Sequence, residues 1–440
     1  MRPPRHADEA RAVAARVLGR LTDPEAVEAG TGYPDLPAGP GTEADGLWVP
    51  LSLANGFPAV SLAFSGATER HPSHVAHAHA HLRRSLAAVA SGDNPPGGLY
   101  ATTSAAAYAL LIAHRATGGY REALARLDAY HRDLVREALP PVPDEPVADN
   151  AEFELIRGMS GLGRHLLARG RSAAEETRAV LGYLTAMALG GTTRRGHTVP
   201  HWWTWAAPRA GQEAELPDGH LNLGLSHGVS GPLALLSLAC RAGVTVEGQK
   251  EAVEALVGLL ETWAVPDGEG LRWPPYLTAD DWAAGPGAPA PPWQRPSWCY
   301  GSPGIARAVQ LAALALGRPD WHELARRALL PLLDRPLPAW GLEDAGLCHG
   351  TGGALHVLGL LREHIDDERL DTVVDELAAM TLGHFREENR FGFRAAVRNA
   401  PEGADVPGFL DGAAGTALAL DAYANGGRAH ADWDMALLVN

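Results

Sequence analysis

The 440-residue chain is poor in the features typical of membrane, disulfide-stabilised and nucleic-acid-binding proteins. Its three cysteines are too few and too scattered for a disulfide framework. It has one lysine, Lys250, no dense run of basic residues and a formal net charge of −15. No apolar stretch reaches the roughly 18 residues of a membrane span, and the N-terminus lacks a secretory signal. These absences predict a cytoplasmic protein with reduced thiols that binds neither nucleic acid nor an anionic membrane.

A short motif of small residues recurs seven times, and an apolar run follows each copy. Between the copies lie stretches with apolar residues at i, i+3, i+4 and i+7, such as 121–138 and 249–263, which indicate helices with one buried face. The pattern predicts an all-α protein, an α/α toroid of seven inner and seven outer helices with the motif loops at one end. Strand signals are few, and the best is 390–397. Aligned on their second small residue, the copies fall at Ala59, Ala105, Gly161, Gly231, Gly304, Gly353 and Gly415.

The chain is predicted to divide near residue 50. We expect residues 1–50 to form an N-terminal helix and a linker, and residues 51–440 to form the toroid, with inserts at about 191–221 and 266–296. Long inserts over one rim of a barrel are usual places for substrate recognition. The inserts are rich in proline and carry Trp202, Trp203, Trp205 and Trp293.

Two cysteines and a histidine lie at equivalent ends of neighbouring motifs. Cys299 lies in WCYG, and the pair Cys348 and His349 lies in LCHG. Two sulfurs and one nitrogen suit zinc, and three protein ligands leave one position open, as in catalytic zinc sites. The alternative is that each cysteine is a small buried apolar residue, which is the interpretation we favour for Cys240.

Other polar residues near the motifs have both a chemical and a structural interpretation. His227 occupies the position that matches His349 and could exchange a proton near neutral pH, although a lone histidine is more often structural. Arg295 could stabilise a developing anion, although an arginine in a proline-rich loop is usually solvated. A separate group of histidines is interpreted as a solvated helix face: His71, His74, His77, His79 and His81.

Three segments together resemble the lanthionine synthetase C family, the cyclases of lantibiotic biosynthesis. They are NLGLSHGVSGPLALL at 222–236, RPSWCYGSPGIA at 295–306 and GLCHGTGG at 346–353. The resemblance covers about 51–420 and, with no kinase, lyase or dehydratase segment attached, is to the free-standing cyclases of class I systems. It implies an α/α toroid of seven inner and seven outer helices, which agrees with the repeat count.

The resemblance also implies a site with one zinc ion per chain. Cys299, Cys348 and His349 match the family's zinc ligands, and His227 matches its proposed acid/base histidine. Arg295 and Tyr300 match its active-site arginine and tyrosine. One position departs from the family, because FELIRG places Glu154 where the family usually has aspartate. The charge is kept, but the carboxylate moves by one methylene, which matters for a positioned base.

The implied activity is a zinc-dependent cyclisation of a peptide. A peptide cysteine binds zinc as a thiolate and adds to the β-carbon of dehydroalanine or dehydrobutyrine in the same chain. Arg295 or zinc stabilises the enolate, and His227, with Tyr300 or metal-bound water, returns a proton to the α-carbon. The product is a lanthionine or methyllanthionine thioether ring. The implied partners are a dehydrated precursor peptide with its leader and core, a dehydratase and an exporter.

Four alternatives remain at this stage. A zinc-using toroid such as the protein prenyltransferase β subunit would need an Asp–Cys–His ligand set, which the second cysteine disfavours. A relative that adds glutathione to dehydrated residues is harder to exclude. A non-catalytic scaffold would bind the precursor peptide after decay of the site through Glu154. A glycosidase would need two carboxylates, such as Glu154 and Asp411, which lie on distant repeats.

Overall fold

The structure is a computed structural model that describes residues 3–34, 46–67, 74–92, 97–141, 149–194, 197–207, 214–287, 292–397 and 400–440. Most of these residues are helical. In chain order the α-helices are α1 (Ala7–Arg20), α2 (Pro24–Gly30), α3 (Phe57–Gly66), α4 (His74–Ser91), α5 (Thr102–Thr117), α6 (Arg121–Ala138), α7 (Met159–Arg169), α8 (Ala174–Leu189), α9 (Ser230–Arg241), α10 (Gln249–Thr262), α11 (Ala279–Ala284), α12 (Ser302–Leu316), α13 (Pro319–Arg327), α14 (Leu330–Leu333), α15 (Thr351–Leu361), α16 (Glu368–Gly383) and α17 (Ala413–Ala424).

The described strands are short and form four antiparallel pairs, β1 with β2, β3 with β6, β4 with β5 and β7 with β8. Sequence patterns predicted only one strand, at 390–397, and β7 occupies its end. The others were missed because strands of three to five residues give no alternation long enough to read. They are β1 (Gly191–Arg194), β2 (His197–Pro200), β3 (His220–Asn222), β4 (Val265–Asp267), β5 (Gly270–Arg272), β6 (Tyr276–Thr278), β7 (Ala395–Val397) and β8 (Ala400–Ala404).

Seven helices begin at the predicted motifs, and we call them the motif helices. All residues of α3, α15 and α17 are buried. This agrees with runs that are apolar on every side, since a helix without a polar face must be enclosed. The amphipathic helices predicted between the motifs, such as α6 and α10, keep an exposed polar face, as their spacing predicted. The motif helices are α3, α5, α7, α9, α12, α15 and α17.

The contacts divide the chain into two compact units, and unit 1 comprises Met1–Ala129 and Leu337–Asp434. In unit 1, α17 packs against α15 and α3, and α3 packs against α5. Amphipathic helices cover this row, with α4 on α3 and α16 on α15. The N-terminal helix α1 covers α17, with Val13, Val17 and Leu18 on its buried face.

Unit 2 comprises Tyr130–Pro336 and Met435–Asn440. Its motif helices α7, α9 and α12 pack in succession, and α8, α10 and α13 lie against them. The final segment, 435–440, is held by buried donors. The Trp298 indole donates to the Leu437 carbonyl at 2.9 Å, and the Arg307 guanidinium donates to the Val439 carbonyl at 2.9 Å. Arg164 donates two hydrogen bonds to the Asn440 oxygen.

The second glycine of a motif is required by close packing of backbone on backbone. A Cβ at Gly304 would lie 2.0 Å from the Trp298 carbonyl oxygen, and one at Gly353 would lie 1.9 Å from the Leu347 oxygen. Real Cβ atoms do not approach an oxygen so closely. The glycine therefore lets the loop fold tightly onto the first turn of its helix.

Two further predictions concern the whole chain. Among the described residues, no helix is both long and apolar enough to cross a membrane. None of the three cysteines, all of which the structure describes, forms a disulfide, and Cys240, which we expected in the core, is half-buried. The predicted division at residue 50 and the insert boundaries stay predictions.

Candidate functional site

Six of the seven motif helices follow a tight loop that ends in a glycine at or just before the helix cap, and the exception is α5, which is capped by Ala101. We number loop positions backwards from this capping glycine. In three loops the backbone N–H after the glycine donates to the carbonyl at position −6, which closes the loop. These bonds join Val229 to Asn222, Thr351 to Asp344 and Ala413 to Val406, at 3.0, 2.8 and 2.9 Å. The capping glycines include Gly158, Gly228, Gly301, Gly350 and Gly412.

Side chains suited to chemistry recur at two positions of these loops. Cys299 and Cys348 both occupy position −2. Position −1 carries an imidazole, a phenol or a carboxylate in four loops. Because the loops share one backbone conformation, side chains at equivalent positions leave the backbone at equivalent places in each loop. The residues at position −1 are His227, Tyr300, His349 and Asp411.

In unit 2, the loops before α9 and α12 are joined backbone to backbone. The N–H groups of Leu225 and Ser226 both donate to the Cys299 carbonyl, at 2.9 and 3.2 Å. This register brings the neighbouring side chains together, and the His227 and Tyr300 ring centroids lie 5.9 Å apart. The structure therefore gathers His227, Tyr300 and Cys299 on two adjacent loops, as expected for residues of one site.

Glu154 is a fully buried carboxylate that contacts His227. One oxygen, Oε2, lies 2.5 Å from His227 Nδ1, and the other, Oε1, accepts the backbone N–H of Arg157. The Leu155 N–H also donates to the Ser226 carbonyl at 3.1 Å, which ties the two loops together. With Oε2 as acceptor, Nδ1 carries a proton, and Nε2 is the imidazole nitrogen left to exchange one.

Arg295 and Cys299 differ in their surroundings. Arg295 is half-buried, and its guanidinium makes no hydrogen bond or ion pair with the residues that the structure describes. Cys299 is buried, with its sulfur 3.5 Å from the Ser297 hydroxyl. Arg295 thus lies in the same loop as Cys299, but its guanidinium has no hydrogen-bond or ion-pair partner among the described residues.

In unit 1, the loops before α15 and α17 are joined in the same way. The N–H groups of Leu347 and Cys348 donate to the Leu410 carbonyl, at 2.7 and 2.9 Å. Cys348 and His349 are both half-buried. His349 Nδ1 lies 3.8 Å from the carboxylate oxygen Oδ1 of Asp411.

The donor atoms offered by Cys299, Cys348 and His349 are chemically suited to zinc. Thiolate and imidazole are ligands that zinc prefers, and three of them leave one position for a substrate or water. None of these three side chains is fully exposed, which suits ligands that must be deprotonated and shielded from competing water. The residues present therefore fit the metal that the sequence resemblance implied.

Sequence reasoning missed the polar residues that shape the loops. The Asn222 and Asp344 side chains, both at position −6, each accept the backbone N–H of position −4 at 3.0 Å. In the α12 loop, the Ser297 hydroxyl accepts the N–H groups of Tyr300 and Gly301. Asn222 and Asp344 both lie nine residues before the second small residue of their motifs, Gly231 and Gly353, so the motif alignment already contained the signal that would have found them.

The histidine group on α4 was wrongly interpreted as a solvated face. His81 is fully buried, and its Nε2 lies 2.8 Å from the Leu21 carbonyl. Burial lowers the pKa of His81 to about 4. His74, His77 and His81 surround the Phe64 ring, so apolar packing occupies this face. His71 lies outside the described residues.

The insert tryptophans are mostly not available to a substrate. Trp202 and Trp203 are buried, and Trp202 packs edge-on against Phe153, the neighbour of Glu154. The Trp293 ring lies 4.1 Å from the guanidinium of Arg335. Trp205 is 38% exposed and is the tryptophan of this set that can meet a ligand.

Comparisons with known proteins identify the relatives of this chain. The family model for "Lanthionine synthetase C-like protein" matches residues 47–438. The nisin biosynthesis protein NisC of Lactococcus lactis subsp. lactis is 24% identical over 306 residues, which are 68% of this chain and 71% of NisC. The solved structure of nisin cyclase shares the fold with a TM-score of 0.74 and 20% identity, covering 89% of this chain and 92% of that one.

The likeness to nisin cyclase confirms the predicted fold class, an all-α toroid of repeated helix pairs. The family match spans nearly all of the predicted repeats and every residue placed above in the motif loops. This chain therefore belongs to the lanthionine synthetase C-like protein family.

Proposed function

We propose that the chain is a lanthionine synthetase that closes thioether rings in a dehydrated precursor peptide. The observation that carries this proposal is the buried Glu154 carboxylate held on His227, in the loop hydrogen-bonded to that of Cys299. Family membership and the relationship to NisC support the same activity. A histidine oriented by a buried carboxylate is the arrangement expected for a group that delivers a proton.

We further infer that Cys299, Cys348 and His349 bind one zinc ion. Their equivalent loop positions and their donor chemistry support this assignment. Bound zinc would lower the pKa of a peptide thiol so that it is present as a thiolate near neutral pH.

The chain's own residues then supply the proton chemistry. The peptide thiolate forms a C–S bond with the β-carbon of a dehydroalanine or dehydrobutyrine. The π electrons of the broken double bond move onto the peptide carbonyl as an enolate. His227 Nε2 delivers a proton to the α-carbon, and Glu154 stabilises the charge of the imidazolium that is the donor.

Tyr300 and Arg295 are assigned supporting roles. The Tyr300 ring lies beside His227 and can donate its hydroxyl to the reacting peptide. The Arg295 guanidinium, without a partner among the described residues, can turn toward the enolate oxygen. Charge stabilisation of this kind is strongest where water is excluded.

The inserts of unit 2 offer a surface for the peptide. A cavity of about 500 Å³ lies between the end of α10 and the 266–296 insert, and Trp263, Pro266, Pro275 and Tyr276 form part of its wall. The Leu223 N–H donates to the Pro275 carbonyl, so this wall is continuous with the loop that carries His227. Apolar and aromatic walls suit the side chains of a peptide substrate.

The remaining assignments follow from the activity. The substrate would be a leader-plus-core precursor peptide, modified by a dehydratase before cyclisation and exported afterwards. These steps would take place in the cytoplasm, where the thiols stay reduced. Residues 51–440 would form the catalytic toroid, and residues 1–50 the N-terminal helix and linker.

Alternative functions fit the site less well. The Glu154 and Asp411 carboxylates each face a histidine, which differs from the paired carboxylates of a glycosidase. A decayed scaffold would have no need of the Glu154–His227 contact. Addition of glutathione would use the same residues, and only the product distinguishes it.

The first experiment measures zinc by elemental mass spectrometry after washing with chelator. We expect about one zinc per wild-type chain and its loss in Cys348→Ala, because one thiolate ligand is removed. Cys240→Ala is the matched control, since Cys240 lies outside the motif loops, and it should retain the metal. A wild-type chain without zinc, or full retention in Cys348→Ala, would contradict the metal assignment.

The second experiment offers the enzyme a synthetic peptide with one dehydroalanine and one cysteine, in the presence of glutathione. Cyclisation consumes the peptide thiol without a change in peptide mass, whereas glutathione addition raises the mass. We expect loss of alkylatable thiol at constant mass. A product heavier by one glutathione would favour the alternative, and no reaction of either kind would favour a scaffold.

A further inference from the structure

Asp411 is a carboxylate in the motif loops that the proposed reaction does not use. It occupies position −1 in the α17 loop, the position of His349 in the α15 loop. The two loops are joined through the Leu410 carbonyl, which accepts the N–H groups of Leu347 and Cys348. This register places Asp411 beside the histidine that follows Cys348.

The contact between the two side chains is electrostatic and geometrically constrained. Asp411 Oδ1 lies 3.8 Å from His349 Nδ1, and both side chains are half-exposed or less. This separation exceeds a direct hydrogen bond, but one bridging water or a small ring rotation is enough to connect the atoms.

Packing of the backbone restricts how far Asp411 can move. A Cβ at Gly346 would lie 3.2 Å from the Asp411 Cα and 3.2 Å from the Leu410 carbonyl oxygen. The two loops therefore touch along their backbones, and the Asp411 side chain starts from a fixed point next to the His349 ring.

We propose that Asp411 is a positioning residue for His349. Its carboxylate accepts a hydrogen bond from the Nδ1–H group of His349. This bond fixes the ring orientation and the tautomer in which the Nε2 lone pair can bind a metal. Metal-binding histidines usually donate their second ring N–H to a carboxylate or carbonyl, and loss of that partner typically weakens metal binding about 10–100-fold. The inference rests on the zinc site proposed above.

The test compares Asp411→Asn with wild type by competition against a chelating zinc indicator near neutral pH. We expect zinc affinity to fall about 10–100-fold, with one zinc still bound at saturation. Asp411→Glu, which keeps a carboxylate, should recover part of the affinity. Asp432→Asn is the matched control, because Asp432 is a carboxylate of unit 1 that pairs with Arg115 outside the motif loops.

Cobalt substitution provides a second readout. The d–d spectrum of Asp411→Asn should keep the band positions of the wild-type spectrum, because the ligand set is unchanged. A changed spectrum would overturn the proposal in favour of direct metal ligation by Asp411, and unchanged zinc affinity in Asp411→Asn would overturn the positioning role. A wild-type chain that binds no zinc would instead overturn the zinc site itself, and the role of Asp411 with it.

Discussion

At the level of single residues, the Glu154 carboxylate illustrates what a buried charge requires. It has no contact with solvent, so hydrogen bonds must replace its hydration. His227 and the Arg157 backbone N–H supply them, one to each oxygen. The longer side chain at a position where the family usually has aspartate still reaches its histidine.

Replacement of Glu154 by glutamine tests this contact. The amide can still accept one hydrogen bond, but it cannot stabilise an imidazolium, so ring formation should fall about 10²–10⁴-fold. The assay is thiol loss at constant peptide mass. Glu175→Gln, on the exposed surface of the same unit, should leave the rate unchanged.

Glu154→Asp distinguishes a functional site from a decayed one. A rate close to that of wild type would show that glutamate serves in place of aspartate. A large gain in Glu154→Asp would instead indicate that the present side chain holds His227 out of place, which would contradict our interpretation of the pair.

His220 is a second buried titratable residue near the site. Both of its ring nitrogens are buried without a hydrogen bond among the described residues, and burial lowers its pKa from 6.5 to about 4. The unfolded chain therefore binds a proton at His220 between about pH 6.5 and pH 4, whereas the folded chain does not. The free energy of unfolding must fall as the pH drops through this window.

His220→Phe should reduce this acid sensitivity. The ring keeps its packing against Tyr276 and leaves no unsatisfied nitrogen. Urea unfolding should show a loss of stability between pH 7 and pH 5 that is about 1–2 kcal/mol smaller than in wild type. An unchanged pH dependence would mean that His220 titrates normally in the folded chain.

At the level of residues, the sequence predicted most of the side chains suited to chemistry but few of the contacts between them. Cys299, Cys348, His349 and His227 lie in short motifs that can be recognised directly. The neighbour of His349, Asp411, belongs to the next repeat, and the isolation of the His220 ring depends on burial. Neither the spacing nor the composition of a single sequence contains that information.

At the level of elements, the tight joint between loop and motif helix is set by backbone contact. Gly304 faces the Trp298 carbonyl so closely that no side chain fits. The Trp298 indole in turn donates to Leu437, so a shift of this backbone would disturb the loop of Cys299 and the 435–440 segment together.

Gly304→Ala should therefore destabilise unit 2. We expect a loss of about 1–3 kcal/mol in the free energy of unfolding, as for overpacking in a core. Gly258→Ala is the control, because a Cβ there meets nothing within 4 Å in the interior of α10, and it should stabilise by about 0.5–1 kcal/mol. Equal effects of the two substitutions in urea unfolding would refute the close-contact argument.

Helices of several turns could be predicted from the sequence, whereas strands of three to five residues could not. The motif helices and the N-terminal helix α1 follow from apolar spacing over several turns. The strands in the inserts are only three or four residues long, and β3 pairs with β6, a strand distant in sequence. These strands pair the backbone hydrogen-bonding groups of the loops, but they are too short to show an alternation of apolar and polar residues.

At the level of the whole molecule, the last repeat is completed by the first helix. The buried face of α1 contacts α17. Since α17 also packs against α15 and α3, α1 covers this motif helix as α4 covers α3 and α16 covers α15. The repeat pattern predicted both helices, but only the structure shows that they are partners.

Val17→Asp tests the contribution of this contact. Val17 is fully buried on α1, and an unpaired carboxylate there should lower the free energy of unfolding by at least about 3 kcal/mol. Ala12→Asp, on the exposed face of the same helix, should change it by less than about 0.5 kcal/mol. Similar losses in the two variants would mean that α1 does not stabilise unit 1.

Unit 1 is built from two segments that are far apart in the chain, and this affects how it folds during synthesis. Residues 1–129 leave the ribosome before 337–434, with roughly 200 residues of unit 2 made in between. Because α17 begins only at Ala413, about 350 residues after the end of α3, the apolar surfaces of α1 and α3 wait roughly 20–80 s for α17 at about 5–20 residues per second. Slow translation of the second half should therefore lengthen the time during which nascent chains depend on chaperones.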